Sequence, residues 1–218
     1  MVEINCETDF VAKNEEFLAF ARGLAENIAR NNPRDLEALA KLPSDGGTVE
    51  SKRQALVQRI GENLSLRRFH RVATDAKVAS YVHGVKIGVL VEYEGDESAG
   101  KDVAMHVAFA KPLYLSRAQV DPKLIDQERK ILDARAKESG KPADIVARMV
   151  EGGINKFIGE NTLLGQPFVK DDKQTVEKAM TARKSKVRDF RFFVVGEGIE
   201  KKITDFAAEV QAQVGQAR

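Results

Sequence analysis

Two hydrophobic periods run through the chain and divide it into strands and helices. Val2 to Cys6 alternates and predicts a short strand. From Asn14 to Arg30, Phe17, Ala21, Leu24 and Ile28 recur at i, i+4, i+7 and i+11, one face of a helix. Asn14 caps that helix, Glu15 and Glu16 suit the positive end of its dipole, and Asn31-Asn32-Pro33 stops it. A second helix is expected over Pro33 to Leu42. A third covers Val49 to Gly61, with Leu56, Val57 and Ile60 spaced for burial, and Pro43 to Gly47 is the loop between them. Leu64 to Val72 and Val78 to Val82 read as strands. After a His83-Gly84 turn, Lys86 to Tyr93 places Ile87, Val89, Val91 and Tyr93 on one face, which makes a hairpin with a half-buried sheet face.

Gly95 to Gly100 is polar and acidic and reads as a divider between domains. Lys101 to Lys111 is helical, with Val103, Val107 and Ala110 aligned. Asp121-Pro122 looks like a cap followed by proline at the first helical position. It opens an amphipathic helix that Ser139 to Pro142 breaks, and a second helix carries Val146, Val150, Ile154 and Phe157. So short a turn makes the two antiparallel. Their narrow apolar stripes and charged flanks suit a coiled-coil hairpin, inserted at about 121–158, with spare apolar surface for self-association. Beyond it come a strand-like Thr162 to Val169, a helix near Thr175 to Arg183, and a strand Phe190 to Val195. A last helix, Thr204 to Val214, carries Phe206 and Val210.

One motif occurs twice. Ile60-Gly61-Glu62-Asn63 returns as Ile158-Gly159-Glu160-Asn161. Each copy is preceded by an alanine-rich amphipathic helix, leads toward a phenylalanine (Phe69, Phe168), and is followed by an apolar strand. The fold class is therefore read as α+β: two similar duplicated subdomains with small antiparallel sheets and packed helices, the hairpin being inserted in the second. The expected division is 1–97, 98–200, and a C-terminal helical module at 201–218.

Composition excludes several functions. Lys and Arg number 35 against 33 Asp and Glu, so a net charge of +2 argues against a protein that binds nucleic acid mainly by neutralising phosphates. Cys6 is alone, which excludes an internal disulfide and fits a reducing, cytoplasmic location. No apolar run approaches the roughly 18 residues of a membrane span. The chain begins without a basic-then-apolar leader and opens directly into a strand, as a sequence with a preceding portion would. His70, His83 and His106 have no metal-ligand spacing, and His106, between Met105 and Val107, reads as a partly buried helix residue. Gly196-Glu197-Gly198 lacks the spacing and the lysine of a phosphate loop, and no nucleophile–histidine arrangement appears. Arg67-Arg68 and the Lys184 to Arg188 run leave one alternative, an RNA-binding or ribosome-associated module.

Glu7-Thr8-Asp9-Phe10-Val11-Ala12-Lys13 joins the first strand to the first helix. Thr8 or Asp9 at a cap, with Phe10 stapled to the core, would account for it. An exposed Asp-Phe at a loop tip would instead pair a charge with a large apolar anchor of the kind that carries binding energy.

The segment Glu3 to Lys13 closely resembles the signature of the bacterial elongation factor Ts family. The similarity continues in order through Ile60 to Asn63 with Arg67-Arg68, Tyr81 to Gly84, Ala104 to Ala108, Ser139 to Pro142, Gly165 to Val169, Val195 to Ile199 and Thr204 to Val210. Family members begin with a small three-helix domain that has no counterpart in this sequence. The resemblance implies a cytoplasmic translation factor, not an enzyme with covalent chemistry. It would be a guanine-nucleotide exchange factor for elongation factor Tu, the GTPase that delivers aminoacyl-tRNA. It implies no cofactor, no metal, no membrane and no direct nucleic-acid partner. Asp9 and Phe10, flanked by Thr8 and Val11, would push in near the partner's magnesium and phosphate site. Ile60, Gly61, His83 and Val169 would grip its third domain, and the last helix, with Phe206 and Val210, its GTPase domain.

Overall fold

A computed structural model describes residues 1–199, an α+β arrangement of small antiparallel sheets and packed helices. Strand β1 (Val2–Asn5) leads through the 6–14 loop into α1 (Glu15–Asn31). Asn14 caps α1 as its sequence predicts, accepting from the N–H groups of Glu16 and Phe17. Helix α2 (Leu36–Lys41), a miniature hairpin of β2 (Pro43–Ser44) and β3 (Gly47–Thr48), and α3 (Val49–Ile60) follow. Strand β4 (Ser65–Phe69) then returns to pair with β1. Ile4, Phe17, Phe20, Leu24, Leu56 and Leu64 are among the side chains that close a first buried cluster around these elements.

The predicted hairpin is β5 (Lys77–His83) and β6 (Ile87–Glu94). Its other neighbour is β9 (Lys186–Val194), giving a three-stranded sheet of order β5-β6-β9. Val89, Val91 and Tyr93 point into a second buried cluster, against Val103 and Val107 of α4 (Glu97–Ala110). Helix α4 lies close on the sheet because Gly100 has no side chain: a Cβ there would meet the Tyr93 ring at 2.5 Å. Strands β7 (Pro167–Phe168) and β8 (Asp171–Thr175) and helix α7 (Val176–Ala182) complete this half. Helices α5 (Pro122–Lys137) and α6 (Ala143–Asn161) pack on each other around Leu132, Ala136, Val146 and Val150, a third, small cluster. At the base of this pair Ile154 and Ile158 are buried.

Two expectations change. The 95–100 segment, expected as a loop, is for the most part helical. Asp96 accepts from the Ala99 N–H and caps α4, which therefore begins four residues before Lys101. Positions 97 and 98 lie in the first turn of α4, which packs with β5, β6 and β9 in the second cluster. The continuous strand expected from Thr162 to Val169 is interrupted, because the N–H groups of Gly165 and Gln166 fold back onto the Thr162 carbonyl. Only Thr162, in a single bridge to Tyr114, and Pro167–Phe168 pair as strand. The last helix, with Phe206 and Val210, and the 201–218 module lie outside the described residues.

The two clusters are joined through Glu3, whose side chain has no exposure to water. A bulge in the β1–β4 register leaves Arg67 without a partner residue between Arg68, opposite Glu3, and Leu66, opposite Ile4. Both guanidiniums thereby reach one carboxylate, at 2.8 Å from Arg67 and 2.5 Å from Arg68. The Gly196 N–H, just past β9, donates to the same carboxylate at 2.9 Å. Arg68 also donates to the Val194 carbonyl and lies over the Phe193 ring, 4.3 Å from its centroid. Arg67 donates to the Glu197 carbonyl.

Burial alone would raise the Glu3 carboxyl, but hydrogen bonds from Arg67, Gly196 and Arg68 overcome it and hold the group below the usual glutamate range. The contribution is therefore present above the ordinary glutamate value of about 4.3 and is lost as pH falls through the lowered folded value. Glu3→Gln should cost about 3 kcal/mol in urea unfolding at pH 7, the low end for a broken buried pair, because both arginines still touch water. The difference from the parent should shrink as the pH is taken below about 4. A variant as stable as the parent at pH 7 would remove Glu3 from this role.

Candidate functional site

The loop between β1 and α1 is fixed by its own hydrogen bonds, not by burial of its tip. The Ala12 N–H donates to the Thr8 carbonyl at 3.3 Å, and the Lys13 N–H to the Phe10 carbonyl at 3.1 Å, in a short 3₁₀ turn over Val11–Lys13. The Val11 N–H donates to the Thr8 hydroxyl oxygen at 3.3 Å. Val11 is 6% exposed and belongs to the first cluster, whereas Phe10 is 88% exposed. Phe10 is therefore exposed at the loop tip and is not a staple to the core. Val11, grouped with the wedge on sequence, is the apolar root of the loop, its side chain buried in the first cluster.

Several expected residues come together here. Phe10 and Ile60 line one shallow cleft, with Asn14, Glu16 and Arg59. Ile60 ends α3 and Gly61 is its cap, in the left-handed conformation at φ 78°, which glycine adopts without strain and which turns the chain sharply toward β4. The tip of the β5–β6 hairpin lies alongside: Lys86 is 3.8 Å from Asp9, and Gly84 and Val85 share a groove with Cys6 and Thr8. His83, at the start of that tip, is exposed and stacks on Tyr81, whose hydroxyl is 3.2 Å from its Nδ1.

Val169 is tied to a different element. It is 39% exposed, and its N–H donates to Nδ1 of His106 on α4 at 3.2 Å. An amide N–H only donates, so the His106 proton resides on Nε2, which faces the Gln166 Oε1 at 3.1 Å. His106 is fully buried, and burial lowers its pKa and keeps it neutral; it acts as a structural acceptor, as its place in the sequence suggested. The neighbouring Lys170 pairs with Asp102 of the same helix at 2.6 Å.

No acid–base pair is poised for chemistry around the loop. The Cys6 thiol is pushed up by burial and by the negative charges of Glu62 and Asp9, and so stays protonated. Among the described residues, no group of three or more His, Cys, Asp or Glu is placed to hold a metal ion, and no helix is long and apolar enough to cross a membrane. Three of the basic residues considered for RNA are engaged in ion pairs. Arg67 and Arg68 hold Glu3, and Arg188 pairs with Asp75 and Glu94. Sequence reasoning marked Glu62 only as part of a repeat, and passed over Lys86. Nothing in the sequence brings either to the loop, because the approach depends on how α3 and the β5–β6 hairpin pack.

A family model described as elongation factor TS matches residues 7–197. The chain is 58% identical over 218 residues to elongation factor Ts of Cupriavidus necator, covering all of this chain and 75% of that protein. It is 57% identical over 219 residues to the elongation factor Ts of Burkholderia ambifaria, and 58% over 219 to that of Paraburkholderia phytofirmans, with the same coverage. The chain thus spans about three quarters of the length of the relatives it matches.

The opposite burial of two adjacent residues sets a stability contrast. Phe10→Ala should change the unfolding free energy by less than about 0.5 kcal/mol, as at an open surface site. Val11→Ala should cost about 1–3 kcal/mol through lost burial and the cavity left behind. Chemical denaturation of both variants checks this, and a larger loss for Phe10 than for Val11 would reverse the assignment of tip and root.

Proposed function

This chain belongs to the elongation factor Ts family and is a translation elongation factor, and on that premise we propose that it releases GDP from elongation factor Tu with Asp9 and Phe10 as its wedge. The observation that carries the reading is the near-complete exposure of Phe10 on a loop whose backbone is held on both sides. A phenylalanine hidden in the core could not enter a partner; this one can.

Exchange needs no catalytic acid or base. The factor binds nucleotide-free partner more tightly than GDP-bound partner, and by linkage weakens GDP to the same degree. Burying a phenylalanine side chain contributes about 1.5–3 kcal/mol. If that contact forms only in the distorted partner, nucleotide affinity shifts by about 10–100-fold. Asp9 brings negative charge to the magnesium and phosphate region. Ile60, Gly61 and His83 on the same side, and Val169 beside α4, would hold the partner's third domain, with Phe206 and Val210 on its GTPase domain. The protein would act in the cytoplasm, without a cofactor of its own.

We read the core as a duplication, and four parallels support it. Strands β1 and β6 each carry a bulge in their pairing with a returning strand, between Glu3 and Ile4 and between Glu92 and Tyr93. The helix after each ends in a left-handed residue followed by proline: Asn32-Pro33 and Lys111-Pro112, both at φ 46°. In each half the Ile-Gly-Glu-Asn motif lies at the end of a later helix, α3 or α6. Each half has its own buried cluster, which supports a division in the 70–76 connection over one between 97 and 98. Helices α5 and α6 are then a coiled-coil insertion in the second half, with Ile131 and Met149 as exposed apolar surface for self-association.

Two outcomes follow. Phe10→Ala should slow factor-stimulated release of labelled GDP from elongation factor Tu by about tenfold or more, the loss expected for a hot spot of about 2 kcal/mol. Unchanged release per folded molecule would end the wedge reading. Replacing 126–150 by a short glycine–serine linker, which spares the buried Ile154 and Ile158, should leave cooperative unfolding of the remainder intact. Global unfolding of that variant would make the hairpin part of the core.

A further inference from the structure

The geometry points to Glu62 as the residue that sets the position of the wedge, an inference that rests on the wedge reading of Phe10. Both donors of Thr8 go to this one carboxylate: the hydroxyl to Oε1 at 2.6 Å and the backbone N–H to Oε2 at 3.0 Å. The Thr8 hydroxyl oxygen in turn receives the Val11 N–H, so the carboxylate, Thr8 and the turn that presents Phe10 form one connected set. Glu62 directly follows the left-handed Gly61 that ends α3. It thereby ties the tip of the β1–α1 loop to the segment Ile60–Gly61, and fixes the distance between two surfaces proposed to meet different parts of the partner.

The second copy of the motif serves as an internal contrast. Glu160 stands where Glu62 stands in the repeat, but only Gly95 and Asp96 separate β6 from α4, so there is no long loop to hold. Glu160 is exposed and only loosely paired with Lys156, at 3.8 Å. The same residue type thus acts as a clamp only in the half that carries a protruding loop. Bidentate hydrogen bonds to a charged acceptor are stronger than neutral ones and restrict direction as well as distance. With Phe10 exposed at the loop tip, this restraint is what keeps its ring from sampling many positions, which lowers the ordering cost of inserting it once the partner is bound and so bears on the maximal rate.

The test measures stimulated GDP release from elongation factor Tu against factor concentration, for the parent, Phe10→Ala, Glu62→Ala, Glu62→Gln, Thr8→Val and the Thr8→Val/Glu62→Ala double variant. Thermal unfolding is followed in parallel. Glu62→Ala should lower the maximal stimulated rate by about tenfold, the equivalent of one net hydrogen bond to a charged group, and change the half-saturating concentration by less than about twofold. Glu62→Gln, which keeps one acceptor, should lie between it and the parent. Thr8→Val should also slow release, and the double variant should be no slower than the slower single, since both remove one interaction. Multiplying single effects in the double variant would overturn the proposal. So would a Glu62→Ala loss that only tracks its unfolded fraction; if that variant does not fold, Glu62→Gln and Thr8→Val decide. Slow release with Phe10→Ala but normal release with Glu62→Ala sinks the positioning role alone. Normal release with Phe10→Ala removes the wedge itself and this role with it.

Discussion

A carboxylate shut away from water, with two guanidiniums and a backbone amide converging on it, joins the two main buried clusters of this protein. An isolated charge in such a place would cost several kcal/mol of lost hydration, and its partners must more than offset that. Glu3 meets the requirement because the β1–β4 ladder contains a bulge that brings two consecutive arginines to the same point. Those arginines also bind carbonyls at the end of β9, and Gly196 closes the ring from that side. The β1–β4 ladder is thus bound to the end of β9 by directional bonds with little freedom to slide, where an apolar contact alone would tolerate several registers.

That restriction fixes what lies at the other end of β1. The strand is only four residues long, so the 6–14 loop begins three residues, about 10 Å of extended chain, beyond Glu3. The β6–β9 pairing carries the same constraint to the β5–β6 tip, since Ile87 pairs with Val194 immediately before the segment that contacts Glu3 and its arginines. The β1–α1 loop and the tip with His83, Gly84 and Lys86 therefore face one another as a consequence of the knot. Asp9 and Lys86, both largely exposed and 3.8 Å apart, add little stability of their own. Their closeness reports the alignment and does not cause it.

Much of this was legible in the sequence where a local rule decides the outcome. The Asn14 cap, the α1 stripe, the alternation through β6, and the Asp121-Pro122 start each follow from a few adjacent residues, and each stands in the structure. Local rules failed where the chain had two choices. Asp96 was read as part of a linker because acidic residues beside glycine favour loops; its carboxylate instead caps a helix whose alanines and glycine suit a sheet surface. Phe10 was balanced between core and surface, since a phenylalanine next to a cap serves equally as a staple. Only the placement of Val11 in the core, which turns Phe10 outward, resolves it. Glu3, Glu62 and Arg67 could not be assigned at all from spacing, because their partners lie 54 to 193 residues away.

The adjacent pair Phe10 and Val11 also explains how a protein can carry an exposed aromatic without loss of stability. A side chain that is hydrated in both folded and unfolded states contributes almost nothing to the difference between them, so exposure of Phe10 withholds a possible gain and adds no penalty. Solitary exposed apolar residues are also ordinary on soluble proteins, so one ring does not by itself invite aggregation. What has to be stabilised is the loop, and there the opposite arrangement is needed: Val11 buried, Thr8 bonded, and the 3₁₀ turn closed. Folding energy is drawn from the root and leaves the tip unused. The apolar surface of Phe10 remains available for a second burial, in a partner, and its full transfer free energy can then appear in association.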